Sequence, residues 1–187
     1  FYSIKGIVQA RYFVLHIASI TLLILSLNGR LPFLTELPDA SQKIVIFSSF
    51  LVILSLILFA RNFLDIEKTT PEFYYPATII VLAAAGGTFF SLFFYKMFIL
   101  ILVYIIALVT LILFAAVSLN RALRGHKEAL FLLIPFLLMI PLFILYTANA
   151  GGFFPMPFFD FDLIPAAAAV EMLFFGIGIA EKHIEQI

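Results

Sequence analysis

A single acidic residue interrupts the last apolar stretch of this chain: between Asp162 and Glu181 the only charged side chain is Glu171. An acid near the centre of a bilayer costs roughly 2.5–3.5 kcal/mol to insert, so it has to face other helices and not lipid. Held there uncharged, a carboxyl can relay a proton, contact a ligand, act as a switch, or simply hydrogen-bond a neighbouring helix. Its partner should be a hydroxyl at similar depth. Tyr104 is the first candidate, with Thr110, Ser48, Ser49 and Ser55 behind it. His16 is the one histidine inside an apolar stretch. Its ordinary role would be a neutral, packed ring bonded to a serine or a backbone carbonyl; a ligand contact is the alternative. Glu171, Tyr104 and His16 are the candidate site residues. His126 and His183 fall in polar segments and should be solvated.

Other chemistries are excluded by what is missing. The chain has no cysteine, so it has no disulfide framework, no thiolate zinc site and no cysteine nucleophile. It lacks H-E-x-x-H, a P-loop, G-x-S-x-G and any Asp-rich metal motif. A membrane haem needs two axial ligands at matching depth, and His16 alone cannot supply them. No catalytic residue, metal or cofactor is therefore expected. Eleven basic residues balance eleven acidic ones, so no basic nucleic-acid surface is expected either.

The elements that hold these residues must be membrane helices. Of the 187 residues 64% are hydrophobic and only 12% charged, with 24 Phe and no Trp; soluble domains are about half apolar and a quarter charged. Stretches free of charge recur along the chain, and a crossing needs roughly 20 apolar residues. Six spans result, at about 12–29, 44–61, 74–94, 97–119, 129–148 and 163–180. In lipid the backbone has to satisfy its own hydrogen bonds, which makes these spans helices; the alternation of an outer-membrane barrel is missing. The expected fold is an all-α membrane bundle with short loops, one domain over residues 1–187. With the N-terminus inside, the inner segments hold Lys5, Arg11, Arg61, Lys68, Arg121, Arg124, Lys127 and Lys182, against Arg30, Lys43 and Lys96 outside. That bias places both ends in the cytoplasm.

Several local patterns refine the picture. Leu31–Lys43, with Pro32, Pro38 and Asp39, reads as an outer loop, Asn62–Glu72 as an inner connection, and Tyr95-Lys96 as a tight hairpin. The apolar loop Gly152–Phe161 should fold onto the outer mouth of the bundle. Gly86-Gly87 beside Ala83, Ala84 and Ala85 predicts close helix packing. Pro135 and Pro141 should kink or loosen their helix, whereas Pro165 sits harmlessly in a first turn. Val170, Leu173, Ile177, Ala180, Ile184 and Ile187 follow an a/d spacing. The pattern suggests one rigid helix running from the membrane into a cytoplasmic segment at 181–187, with homodimerisation along it as an option. The chain begins with Phe1 and has no signal-peptide pattern, so it is expected to be an internal piece of a longer protein.

In this order the features resemble the membrane region of the bacterial 7TMR-DISM receptors, seven-helix receptors with diverse intracellular signalling modules. The resemblance rests on Arg11-Tyr12-Phe13-Val14-Leu15-His16 with Asn28-Gly29, on Ala60-Arg61-Asn62-Phe63-Leu64-Asp65 with Pro71, and on Arg124-Gly125-His126-Lys127-Glu128-Ala129. Its last part is Gly152 and Pro155 followed by Glu171-Met172-Leu173-Phe174 and Ile179-Ala180-Glu181-Lys182. It implies that Phe1–Ile4 ends a first helix, leaving six of seven. It also implies an extracytoplasmic sensor domain before this region and a cytoplasmic output module (a kinase, cyclase or phosphatase) after it. No ligand residues carry over from the family.

Three functions then compete. The first is a non-enzymatic receptor domain in the bacterial inner membrane that relays a signal through its last helix. The second is a subunit of a proton- or cation-coupled transporter using Glu171, and the third a membrane anchor in a larger complex. A transporter should show several convergent polar groups in the membrane, whereas Glu171 is nearly alone. An anchor needs no helix continuing into the cytoplasm. Lipid is a partner in every case.

Overall fold

The computed structural model describes the backbone of residues 2–27, 38–93, 97–150 and 163–184, and most side chains within those ranges. Residues 28–37, 94–96, 151–162 and 185–187, with the expected Tyr95-Lys96 hairpin, the Gly152–Phe161 loop and the end of the 181–187 segment, lie outside the described residues. Among the described residues there is no strand. The helices are α1 (Tyr2–Leu27), α2 (Pro38–Phe63), a single turn α3 (Ile66–Thr69), α4 (Tyr74–Phe93), α5 (Met97–Leu123), α6 (Leu130–Ala150) and α7 (Leu163–Ile184). Six of these are long and apolar enough to cross a membrane, as the sequence led one to expect. The chain is an all-α, multi-pass membrane protein.

Helix ends differ from the uncharged stretches. α1 begins at Tyr2 and carries Lys5, Gln9 and Arg11. α2 begins at Pro38, so the second half of the expected Leu31–Lys43 loop is helical. Charge marks where the hydrocarbon ends, and a helix can continue past that point. Proline at the start of α2 fits, because a first-turn N–H has no helical partner to lose. α6 is one helix through both Pro135 and Pro141.

The contacts divide the chain into two compact units, residues 1–110 and 111–187. In the first, α2 packs against both α1 and α4. It is the most enclosed of the spans, with Phe50, Ile57, Phe59, Ala60 and Phe63 fully buried. α4 turns Ala77, Ile80, Ala84, Gly87 and Ser91 inward, a 3-4-3-4 stripe of mostly small residues that lets backbones approach. A β-carbon on Gly87 would run into the Phe50 ring, while one on Gly86 would meet nothing. Of the two glycines, only Gly87 takes part in the expected close packing. The outer face of α4, with Ile79, Leu82, Phe89 and Phe93, is exposed, as suits a lipid-facing surface.

The turn after α2 is compact. Phe63, Leu64 and Ile66 are fully buried. Asp65 takes the left-handed conformation (φ 48°, ψ 46°), which Asp tolerates better than most residues. Thr69 Oγ1 donates to the Leu64 carbonyl at 2.9 Å, and Arg61 lies over the Tyr74 ring at 4.5 Å.

The second unit joins the end of α5 to α6 and α7. Phe114, Phe136 and Phe175, all fully buried, form a chain of rings with centroids 6.1 and 5.9 Å apart. α5 ends in a Schellman cap: Gly125, at φ +90°, donates to the Ala122 carbonyl, and His126 N–H reaches back to Arg121.

Candidate functional site in the membrane

The inward face of α7 is made by Ala168, Glu171, Phe175 and Gly178, at 3-4-3 spacing. Glu171 is 3% exposed, even though it stands next to Val170 at 40%. Successive helical residues differ by 100°, so the a/d residues Val170, Leu173 and Ile177 face outward while the acid faces in. Glu171 borders an open, almost wholly apolar groove of about 220 Å³ between α6 and α7. From α6 the groove is bounded by Pro135, Leu138, Met139 and Leu142. Ala166 and Ala167 face them from α7, and their single methyl groups leave the space open.

His16 is completely buried in the first unit. Its Nδ1 lies 3.0 Å from Ser55 Oγ on α2, and that hydroxyl donates its own hydrogen to the Val52 carbonyl at 2.9 Å. His16 is thus tied to a serine across two helices, the ordinary role expected of it.

The remaining hydroxyls are mostly turned to their own helices. Ser48 and Ser49 donate to carbonyls one turn back in α2, and Thr110 to Ile106 at 2.7 Å. Tyr104 is half-buried in the first unit, while Glu171 belongs to the second.

Sequence reasoning missed a further constellation. Arg121 counted there only as a positive charge marking the cytoplasmic side. Its guanidinium is buried and donates to Glu128 Oε1 at 2.9 Å. His126 Nδ1 stands 3.4 Å from the same oxygen. Arg121 lies in the last turn of α5, and Glu128 in the 3-10 turn Lys127–Ala129 that opens α6. A cation and an anion at those ends suit the two helix dipoles. The signal was available in the sequence as Gly125 between the two charges, a residue that can reverse the chain and bring them together.

Asn28-Gly29, Gly152 and Pro155 lie outside the described residues, and the other segments that carried the resemblance have definite structural places. Arg11–His16 lies in α1, Ala60–Asp65 forms the end of α2 and its buried turn, Arg124–Ala129 is the capped α5–α6 connection, and Glu171–Phe174 lies in α7. No curated protein and no solved structure matches the chain. Over residues 1–182 it matches the 7TM diverse intracellular signalling family. With that match covering all six membrane helices, the chain belongs to the 7TMR-DISM family and is a membrane domain of signalling receptors.

Proposed function

We propose that this region relays an extracytoplasmic signal across the bacterial cytoplasmic membrane, through α7, to an output module on the cytoplasmic side. The region itself is not an enzyme. Both of its ends are cytoplasmic, following the basic bias of the inner segments. A sensor domain and an output module of the same protein are its partners, and lipid surrounds it.

The observation that carries this reading is the placement of Glu171. The membrane acid lies buried on α7, the helix that runs into the 181–187 segment, so its hydrogen bonding bears directly on where that helix sits. α7 is continuous from Leu163 to Ile184, past the charged pair Glu181-Lys182, and a continuous helix can transmit a shift or rotation. The inward turn of Ser48, Ser49 and Thr110 to their own carbonyls also supports a receptor over an ion path, which needs convergent polar groups. The outward a/d row of α7 supports pairing of two copies along it.

The relay is tested by spin labels at Leu137 on α6 and Ala180 on α7 in the full-length receptor. Their distance distribution should shift between the low-output and high-output states. An unchanged distribution would reject movement of α7 as the signal.

A further inference from the structure

The α5–α6 connection hides its acid and exposes its bases. Residues 120–130 hold Arg121, Arg124 and Lys127, with His126 and a single acid, Glu128. That acid is buried, and its Oε1 is taken by the buried Arg121 guanidinium at 2.9 Å. The exposed charges, Arg124 and Lys127, are both positive, and His126 is exposed between them. The connection after α2 is different: residues 61–73 carry two basic residues against three acidic ones. From α7, which packs against Lys127–Ala129, Glu181 and Lys182 add one charge of each sign.

The frame under these side chains is fixed. The Gly125 turn, the His126 N–H on the Arg121 carbonyl and the Arg121–Glu128 pair tie the end of α5 to the start of α6. Leu123 stands beside the two cations at 79% exposure. It ends the outward row Ile112, Ala116, Leu119 and Leu123 of α5, all exposed. It also follows Asn120, where the uncharged stretch stops, so it reaches the level of lipid headgroups. A bare leucine between lipid-facing helix and paired cations suits a molecule with an apolar body and an anionic head.

We infer that the α5–α6 connection binds an anionic phospholipid, its phosphate between Arg124 and Lys127 and its acyl chains along Leu123 and Leu119. A guanidinium and an ammonium both donate to phosphate oxygens. Each basic side chain near the membrane surface favours an anionic lipid by about fivefold. A choline headgroup brings its own cation, so net negative charge is the property selected. This goes beyond the relay reading. Lipid occupancy is read by labelling alone, so its failure leaves movement of α7 untouched.

The experiment uses the full-length receptor in phosphatidylcholine nanodiscs. The probe is a minor fraction of phosphatidylglycerol carrying a diazirine near its headgroup, with labelled residues mapped by mass spectrometry. Label should concentrate on residues 119–130 over residues 61–73. Added phosphatidylglycerol should displace it and added phosphatidylcholine should not. Arg124→Gln and Lys127→Gln should each lower labelling about fivefold, and the double variant about twenty-five-fold; Lys127→Arg should retain it. Both positions are exposed, so these variants should fold. High salt should weaken labelling, because it screens exposed charge. Equal displacement by the two lipids, or labelling untouched in the double variant, would overturn the site. So would a photoreactive residue at position 123 that cross-links to an acidic segment of the cytoplasmic module and not to lipid, since the surface would then be a protein interface.

Discussion

At the scale of single residues, the buried polar groups make the clearest predictions. Glu171→Gln preserves the shape and hydrogen bonding of an uncharged acid, and Glu171→Leu does not. In the full-length receptor the glutamine variant should keep its output response, and the leucine variant should lock one output level. Loss of response in both variants, with folded protein in the membrane, would show that ionisation matters and favour proton coupling. At the α5–α6 connection, Arg121→Met strands a buried Glu128 without its cation and should destabilise the domain by about 3–5 kcal/mol. Replacing both partners with apolar residues should recover most of that loss in a thermal unfolding series in detergent. Ser55→Ala removes the hydroxyl that pairs with His16 Nδ1, with an expected cost of about 1–3 kcal/mol. Glu171 was legible in the sequence because a charge in an uncharged run is anomalous on its own terms. The partner of His16 was not, since choosing Ser55 over its neighbours requires knowing how α1 and α2 are rotated. Arg121 was misweighted for a related reason. A basic residue after a span is a topology signal in general, and nothing local shows that it is buried.

At the scale of elements, the sequence located the membrane better than it located the helices. Spans read from uncharged stretches place hydrocarbon, but α1 and α2 both run further. Sidedness was harder still. In a soluble helix a polar face identifies the outside, whereas α7 is apolar nearly all round. Its a/d row therefore had no visible side, and the structure turns Val170, Leu173 and Ile177 of that row outward with Glu171 and Phe175 inward. Two neighbouring glycines of opposite behaviour test the packing. Gly87→Leu should unfold or misassemble the first unit and Gly86→Leu should not, because only the former meets the Phe50 ring; unfolding midpoints of the two variants settle this. Gly125→Ala should cost about 1–2 kcal/mol through backbone strain alone, since a β-carbon there touches nothing.

At the scale of the whole molecule, the fold class followed from composition, and the family match supports a receptor domain. Orientation makes its own prediction: cysteines introduced at Gly125 and Gly152 should react with impermeant reagents from opposite sides, Gly125 from the cytoplasm. Labelling of Gly125 from outside would reverse the topology and sink the relay reading. A last consequence comes from the ring of Phe50 seated over Gly87. A ring lodged in a notch acts as a mechanical detent. α2 could travel along α4 only by lifting the ring over the flanking residues to another gap, and small sliding movements are blocked. Any rearrangement in the first unit should therefore carry α2 and α4 together as a single strut. Widening the notch's counterpart by Phe50→Ala would free the two helices to creep past each other and blur the distinction between signalling states without abolishing the fold.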